Sequence, residues 1–381
     1  MKTARGGTEY EGYCTDIVTN LAIDWLQEGR DKSKPFMLMC QHKAPHRCWM
    51  PPLPHLSLYD DVEIPEPETL FDNWADNTFA ARNQEMEIDR HMHMVFDLFV
   101  DPPEGFDPAD ADDERVDKSA YRNLQRITPD QLKQWNAAYG PKNAVLREEI
   151  PTGKDLVRWK YQRHMKNYLR CVKTVDDSVG KLMEYLDQAG LTDNTVFVYC
   201  SDQGFYLGDH GWFDKRWMYE ESLKIPFIVK WPGVTNPGST HDAMIQNLGY
   251  AETFLEMAGA PIPDDMQGAS LVPLLKGDTP EGWRTSIYYH YYEYPSVHMV
   301  PRHNGVRDKG YKLMHFYQFD EWEFYDLTAD PDELSNEYEN PKFANQIKTL
   351  KKELKRLEKY YEDDSDRKVM PADWQSQYRL Q

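Results

Sequence analysis

Thr195-Val-Phe-Val-Tyr-Cys-Ser-Asp-Gln-Gly-Phe-Tyr-Leu-Gly-Asp-His-Gly211 is the stretch that decides the fold. Its first six residues are β-branched, aromatic or apolar without much interruption, as in a strand covered on both faces. The run then empties into a polar loop, Ser201 to Gly211. Upstream, Tyr161, Met165, Tyr168, Val172, Val175, Val179, Leu182 and Leu186 recur every third or fourth residue. That spacing describes a long amphipathic helix ended near Gly190. Downstream, Ile225–Trp231 is another apolar run, closed by Pro232-Gly233. Helix, strand, loop and helix in this order indicate an α/β sheet with covering helices, its working loops at the carboxyl ends of the strands.

The amino-terminal part repeats the pattern. Thr15–Glu28 is expected to be a helix with Ile17, Leu21 and Trp25 on one face and Gly29 just past its end. Phe36-Met-Leu-Met-Cys40 is expected to be a buried strand, followed by the loop Gln41-His-Lys-Ala-Pro-His46. Residues 50–150 are rich in proline and acidic clusters (Asp101-Pro-Pro-Glu-Gly-Phe-Asp-Pro-Ala-Asp-Ala-Asp-Asp-Glu114) and suggest a long insertion with short helices. From about residue 284 the short aromatic runs SIYYHYYEY, YKLMHFYQF and WEFYDL suggest a small antiparallel sheet. Ile347, Leu350, Leu354, Leu357 and Tyr361 then mark a last amphipathic helix, too short for a coiled coil and expected to pack on its own domain. The expected division is residues 1–283 and 284–381.

A formal charge of −20 argues against nucleic acid, whose binders show a basic face. An anionic ligand must therefore meet a local cluster of cations. The five cysteines (Cys14, Cys40, Cys48, Cys171, Cys200) are an odd number without metal-type spacing, which argues against a disulfide framework. Phe36–Cys40 is far too short to span a membrane, and residues 1–12 show no apolar signal-type core.

Asp202 and Gln203, side by side past a strand, can present two oxygen ligands to a hard cation such as Ca²⁺. An Asp at a strand end also commonly caps the next turn. Lys215, flanked by Asp214 and Arg216 among aromatic residues, can hold an anion as a compact point charge. His46 can donate a hydrogen bond or a proton to a leaving oxygen. Each is an ordinary surface residue if taken alone.

In combination they are not ordinary. A strand ending in H-K-A-P-H-R-x-W and a strand ending in S-D-Q-G-x-x-L-G-D-H-G-x-x-x-K-x-x-M-Y-E-E-S resemble the sulfatases of the alkaline phosphatase superfamily. Ala258–Leu271 and Glu323-Phe-Tyr-Asp-Leu-Thr-Ala-Asp-Pro-Asp-Glu333 extend the likeness. The resemblance implies a mixed sheet sandwiched by helices, with a smaller carboxy-terminal α+β domain. It assigns Asp202 and Gln203 to a Ca²⁺ site, Lys215 to the sulfate and His46 to the leaving oxygen. Asp214, His210, His298, Arg302 and His303 become substrate-binding candidates, the last three in a tract most similar to sulfatases of 6-sulfated N-acetylglucosamine. The implied partner is a sulfated carbohydrate, with no membrane. For a full-length relative the implied compartment is the periplasm or cell exterior.

The family's formylglycine motif, C/S-x-P-S-R, does not occur in these 381 residues, and neither do the paired aspartates of the family's first strand. The expectation is a chain truncated at its amino terminus, the alternatives being an upstream reading frame that supplies the missing segment, a gene fragment with no independent role, or one half of a split enzyme. Such a chain would hold calcium weakly and would not turn over alone. Two other readings compete: a phosphoester hydrolase of the same superfamily, and a protein that binds sulfated glycans without chemistry.

Overall fold

The structure, a computed structural model, describes residues 2–3, 6–75, 77–101, 124–365 and 367. Most of the acidic stretch Asp101–Glu114 lies outside them. The chain forms two compact units. One comprises residues 1–67 and 88–194, the other residues 68–87 and 195–381.

In the first unit the dominant element is a helix over Lys154–Gln188. Tyr161, Met165, Val175, Leu182 and Leu186 of the expected stripe are buried. Gly190, at φ +66°, ends the helix in a left-handed cap that few other residues adopt cheaply. The same helix also buries polar groups, several of them hydrogen-bonded. Arg170, for example, donates to the Leu58 carbonyl at 2.7 Å and to Asp60 at 2.6 Å. The helix over Pro129–Glu148 opens with a complete capping box, Thr128 with Gln131, and runs on through Pro141.

The first helix, Cys14–Asp24, continues as a wide π turn over Trp25–Gly29. Its buried face is Thr15, Thr19, Ala22 and Leu26, not the expected Ile17, Leu21 and Trp25. Burial at Thr19 is tolerated because its hydroxyl donates to the Thr15 carbonyl at 2.9 Å. A second correction concerns Phe36–Cys40. The segment is no strand, and Met37 and Met39 are 62% and 64% exposed. An apolar run is buried on both faces only where neighbouring strands and helices cover it.

The second unit carries the pair β1 (Phe197–Cys200) and β2 (Phe227–Lys230), which run antiparallel. Both were expected as strands, but neither is covered on both faces: Ile228 is 65% exposed. Among the described residues they pair only with each other. The larger sheet is a four-stranded antiparallel meander: β3 (Ser286–Tyr291), β4 (His303–Asp308), β5 (Tyr311–Phe316) and β6 (Glu321–Asp326). The aromatic runs supply three of these strands; β4 was not expected. On one face, Val306, Leu313 and Phe324 pack against Ile347, Leu350, Leu354 and Leu357 of the last helix, Ala344–Tyr360. The helix is thus covered by its own sheet, as its short heptad run suggested. On the other face Met314, Phe316 and Tyr325 pack against Trp212, Trp217 and Tyr219, residues that flank Lys215. The chain is therefore a mixed α/β protein with an antiparallel carboxy-terminal sheet.

Candidate active site

His46 belongs to the first unit and the other eight candidate residues to the second. His46 is exposed, and its Nδ1 lies 2.7 Å from the Arg47 carbonyl oxygen. A carbonyl can only accept, so Nδ1 carries the proton and Nε2 is the nitrogen turned to other partners. The loop is anchored next door. Arg47 donates from Nε and Nη2 to Asp97 at 2.6 and 2.8 Å, a buried bidentate pair that also receives the His93 N–H.

In the second unit, Asp202 is exposed and Gln203 half-buried, directly after β1. The Ser201 hydroxyl donates to the Gln203 carbonyl at 3.0 Å and stands 3.3 Å from Asp202 Oδ1. Their carboxylate and carboxamide oxygens form a hard donor pair. Among the described residues no group of three or more His, Cys, Asp or Glu side chains could hold a metal.

Lys215 is buried and sits between two residues in the left-handed region, Asp214 at φ +77° and Arg216 at φ +103°. His298 and Met299, at φ +65° and +49°, add two more. Strain of this kind, worth about 1–3 kcal/mol at each residue, persists only where the surroundings impose it. No glycine marks these positions, so no local pattern announces them. Lys215 Nζ lies 3.2 Å from Asp214 Oδ1 and makes no hydrogen bond among the described residues. Arg216 Nη1 lies 3.0 Å from the same oxygen, and His298 Nε2 lies 2.9 Å from Asp214 Oδ2. His298 Nδ1 is 2.7 Å from the Glu85 carbonyl, so both ring nitrogens face acceptors. Burial alone would raise the Asp214 carboxyl. The His298 bond and the charges of His298, Arg216 and Lys215 outweigh it and hold the group well below the usual carboxylate range. Lys215, Arg216 and the His298 ring thus surround one carboxylate.

The remaining candidates are brought to the same unit in different settings. His210 is enclosed, with its ring 4.9 Å from that of Trp74 and Nδ1 3.4 Å from Asp72 Oδ2. Burial works to lower its basicity, but the bond to Asp72 and the charge of Glu221 raise it overall. His303 is fully buried against Trp217 and Phe316, and Nδ1 donates to the Pro301 carbonyl at 2.7 Å. Arg302 is half-buried and donates to the Tyr294 carbonyl at 3.3 Å.

One residue that sequence reasoning passed over joins the two loops. Ser222 accepts the Gly204 N–H on its carbonyl at 2.9 Å and the Arg216 N–H on its hydroxyl at 3.2 Å. The Asp202–Gln203 loop and the Lys215 loop therefore meet on a single serine.

Comparisons with known proteins identify the family. The sulfatase family model matches residues 2–260, and the model of the N-sulphoglucosamine sulphohydrolase carboxy-terminal region matches residues 208–360. The chain belongs to the sulfatase family. It is 44% identical over 362 residues to an N-acetylglucosamine-6-O-sulfatase of Bacteroides thetaiotaomicron, covering 94% of this chain and 64% of that protein. It is 28% identical over 365 residues to an arylsulfatase of Clostridium perfringens, covering 94% of this chain and 61% of that protein. A solved structure described as a complex with its substrate D-glucosamine-2-N,6-O-disulfate superposes with a TM-score of 0.87 at 43% identity, over 93% of this chain and 71% of that one. The chain thus spans less than two-thirds of the length of these curated relatives.

Proposed function

We propose that this chain carries the anion clamp and half of the cation site of a sulfuric ester hydrolase for sulfated glycans, with 6-sulfated N-acetylglucosamine as the substrate type. The observation that carries the reading is Lys215, a buried ammonium that makes no hydrogen bond among the described residues, set in a backbone strained on both sides. Its charge is placed to balance negative charge on sulfuryl oxygens, and Arg216 shares the Asp214 carboxylate, so that Lys215 does not offset that charge alone. His46, its Nδ1 pinned by the Arg47 carbonyl, offers Nε2 to the sugar oxygen that leaves. Asp202 and Gln203 would hold calcium, for which their oxygen donors are chemically suited; when bound, the ion supplies charge that polarises the sulfate. Arg302, His303 and His210 complete the substrate side.

A sulfate reading is favoured over a two-metal phosphatase because Gln203, a neutral oxygen donor, follows Asp202 where an imidazole would suit a second metal. Export to the periplasm or exterior accompanies the glycan substrate. Among the described residues no helix is long and apolar enough to cross a membrane.

Titration calorimetry compares N-acetylglucosamine-6-sulfate with the unsulfated sugar and with the 6-phosphate. The sulfate ester is expected to bind at least about tenfold tighter than the unsulfated sugar, the worth of one charge-assisted contact. Equal binding of the sulfated and unsulfated sugars, or preference for the phosphate, would overturn the reading.

A further inference from the structure

The motif Glu323-Phe-Tyr-Asp-Leu-Thr-Ala-Asp-Pro-Asp-Glu333 belongs to the family pattern, yet the proposed chemistry uses neither of its glutamates. Both are fully buried. Glu323 Oε2 accepts the Tyr219 hydroxyl at 2.6 Å, and its Oε1 accepts the Thr78 hydroxyl at 2.6 Å. Glu333 Oε2 accepts the Glu220 backbone N–H at 2.8 Å, and its Oε1 lies 2.7 Å from Lys312 Nζ. Two carboxylates of one motif therefore grip two consecutive residues, Tyr219 and Glu220, 104 and 113 positions upstream. Glu220 is held a second time, by Arg307 at 3.0 and 3.1 Å and Lys312 at 3.0 Å.

Buried carboxylates are poor sources of stability, since desolvation consumes most of what pairing returns. Burial pushes Glu333 up to about 7 even against the pull of Lys312. An apolar pair would fill the same space more cheaply. What the carboxylates add is direction. Tyr219 and Glu220 open the turn Glu220–Leu223, and Ser222 within that turn receives both the Gly204 and the Arg216 amides.

We infer that Glu323 and Glu333 are positioning residues: they fix the Tyr219–Ser222 turn, and through Ser222 they set the spacing between Asp202–Gln203 and Lys215. The inference rests on the proposed function, because that spacing matters only if one sulfate and its cation use both loops.

The test uses the full chain and N-acetylglucosamine-6-sulfate as probe, with Glu333→Ala, Glu333→Gln, Glu323→Gln and Lys215→Ala. Leu354→Ala, in the last helix away from the turn, serves as a control for general destabilisation. Glu333→Ala is expected to weaken sugar-sulfate binding about tenfold, the cost of one unmet buried N–H. Glu333→Gln, which keeps an acceptor for Glu220, is expected to restore most of that loss. Glu323→Gln is expected to weaken binding as well, and Leu354→Ala to leave affinity within about twofold of wild type despite a comparable fall in Tm. Equal weakening in Glu333→Ala and Leu354→Ala, or none in Glu333→Ala, would overturn the inference. If Lys215→Ala binds like wild type, the proposed function fails instead. Hydrogen exchange then decides the positioning claim independently: the Gly204 and Arg216 amides must exchange faster in Glu333→Ala than in Leu354→Ala, and equal rates refute it.

Discussion

The backbone N–H of Gly204 donates to the carbonyl of Ser222 at 2.9 Å, and the approach leaves no room for a side chain. A Cβ at Gly204 would stand 2.0 Å from the Glu221 carbonyl oxygen and 2.9 Å from that of Lys224. Both obstacles are backbone, so the loop and not a rotamer must move. Gly204→Ala is expected to cost about 1–3 kcal/mol of stability and to displace the Asp202–Gln203 pair. Urea unfolding measures the first effect and sugar-sulfate affinity the second. A variant indistinguishable from wild type in both would show that the contact is looser than described.

The Arg47–Asp97 pair anchors the loop that presents His46. Asp97→Asn removes the charge opposite the buried Arg47 guanidinium and one of the two oxygens that serve Arg47 and the His93 N–H. Asp97→Asn is accordingly expected to lose about 3–5 kcal/mol, read from urea midpoints. A loss below about 1 kcal/mol would place the pair among weak surface interactions.

His303 gives a pH signature. Burial, only partly opposed by the bond to Pro301, lowers it to about 4 from an ordinary value of 6.5. Between those values the unfolded chain binds a proton that the folded chain refuses. The contribution is therefore fully present above pH 6.5 and is lost as pH falls toward 4, on the order of 3 kcal/mol in total. His303→Gln should remove that part of the slope. Parallel stability–pH curves for the two proteins would contradict the assignment.

Turnover is a separate matter from binding. These 381 residues contain no C/S-x-P-S-R motif, and removal of a nucleophile leaves only residual catalysis. The chain by itself is expected to release no sulfate from N-acetylglucosamine-6-sulfate or an aryl sulfate above background. Release that disappears in Lys215→Ala or His46→Ala would show that a nucleophile lies within these residues.

Periodicity and local chemistry made much of this molecule legible. The long helix to Gln188, the strand before Ser201 and three strands of the aromatic sheet follow from hydrophobic spacing alone. What failed to read was whatever depends on distant partners. Phe36–Cys40 looks like a buried strand but has no strand beside it among the described residues, and Thr19 is buried because its hydroxyl finds the Thr15 carbonyl. The left-handed backbone at Asp214 and Arg216 is imposed by surroundings, since neither residue favours it. The grip of Glu323 and Glu333 on Tyr219 and Glu220 joins residues over a hundred positions apart, beyond any local pattern.

The claim on which the rest depends is that Lys215 and the Asp202–Gln203 pair serve one sulfate ester and one cation. Calorimetric titration of N-acetylglucosamine-6-sulfate with and without calcium, in wild type, Lys215→Ala and Asp202→Asn, tests it most directly. The expected result is mutual strengthening of sugar and calcium binding in wild type, lost in either variant. Sugar affinity that is indifferent to calcium and to both substitutions would contradict it.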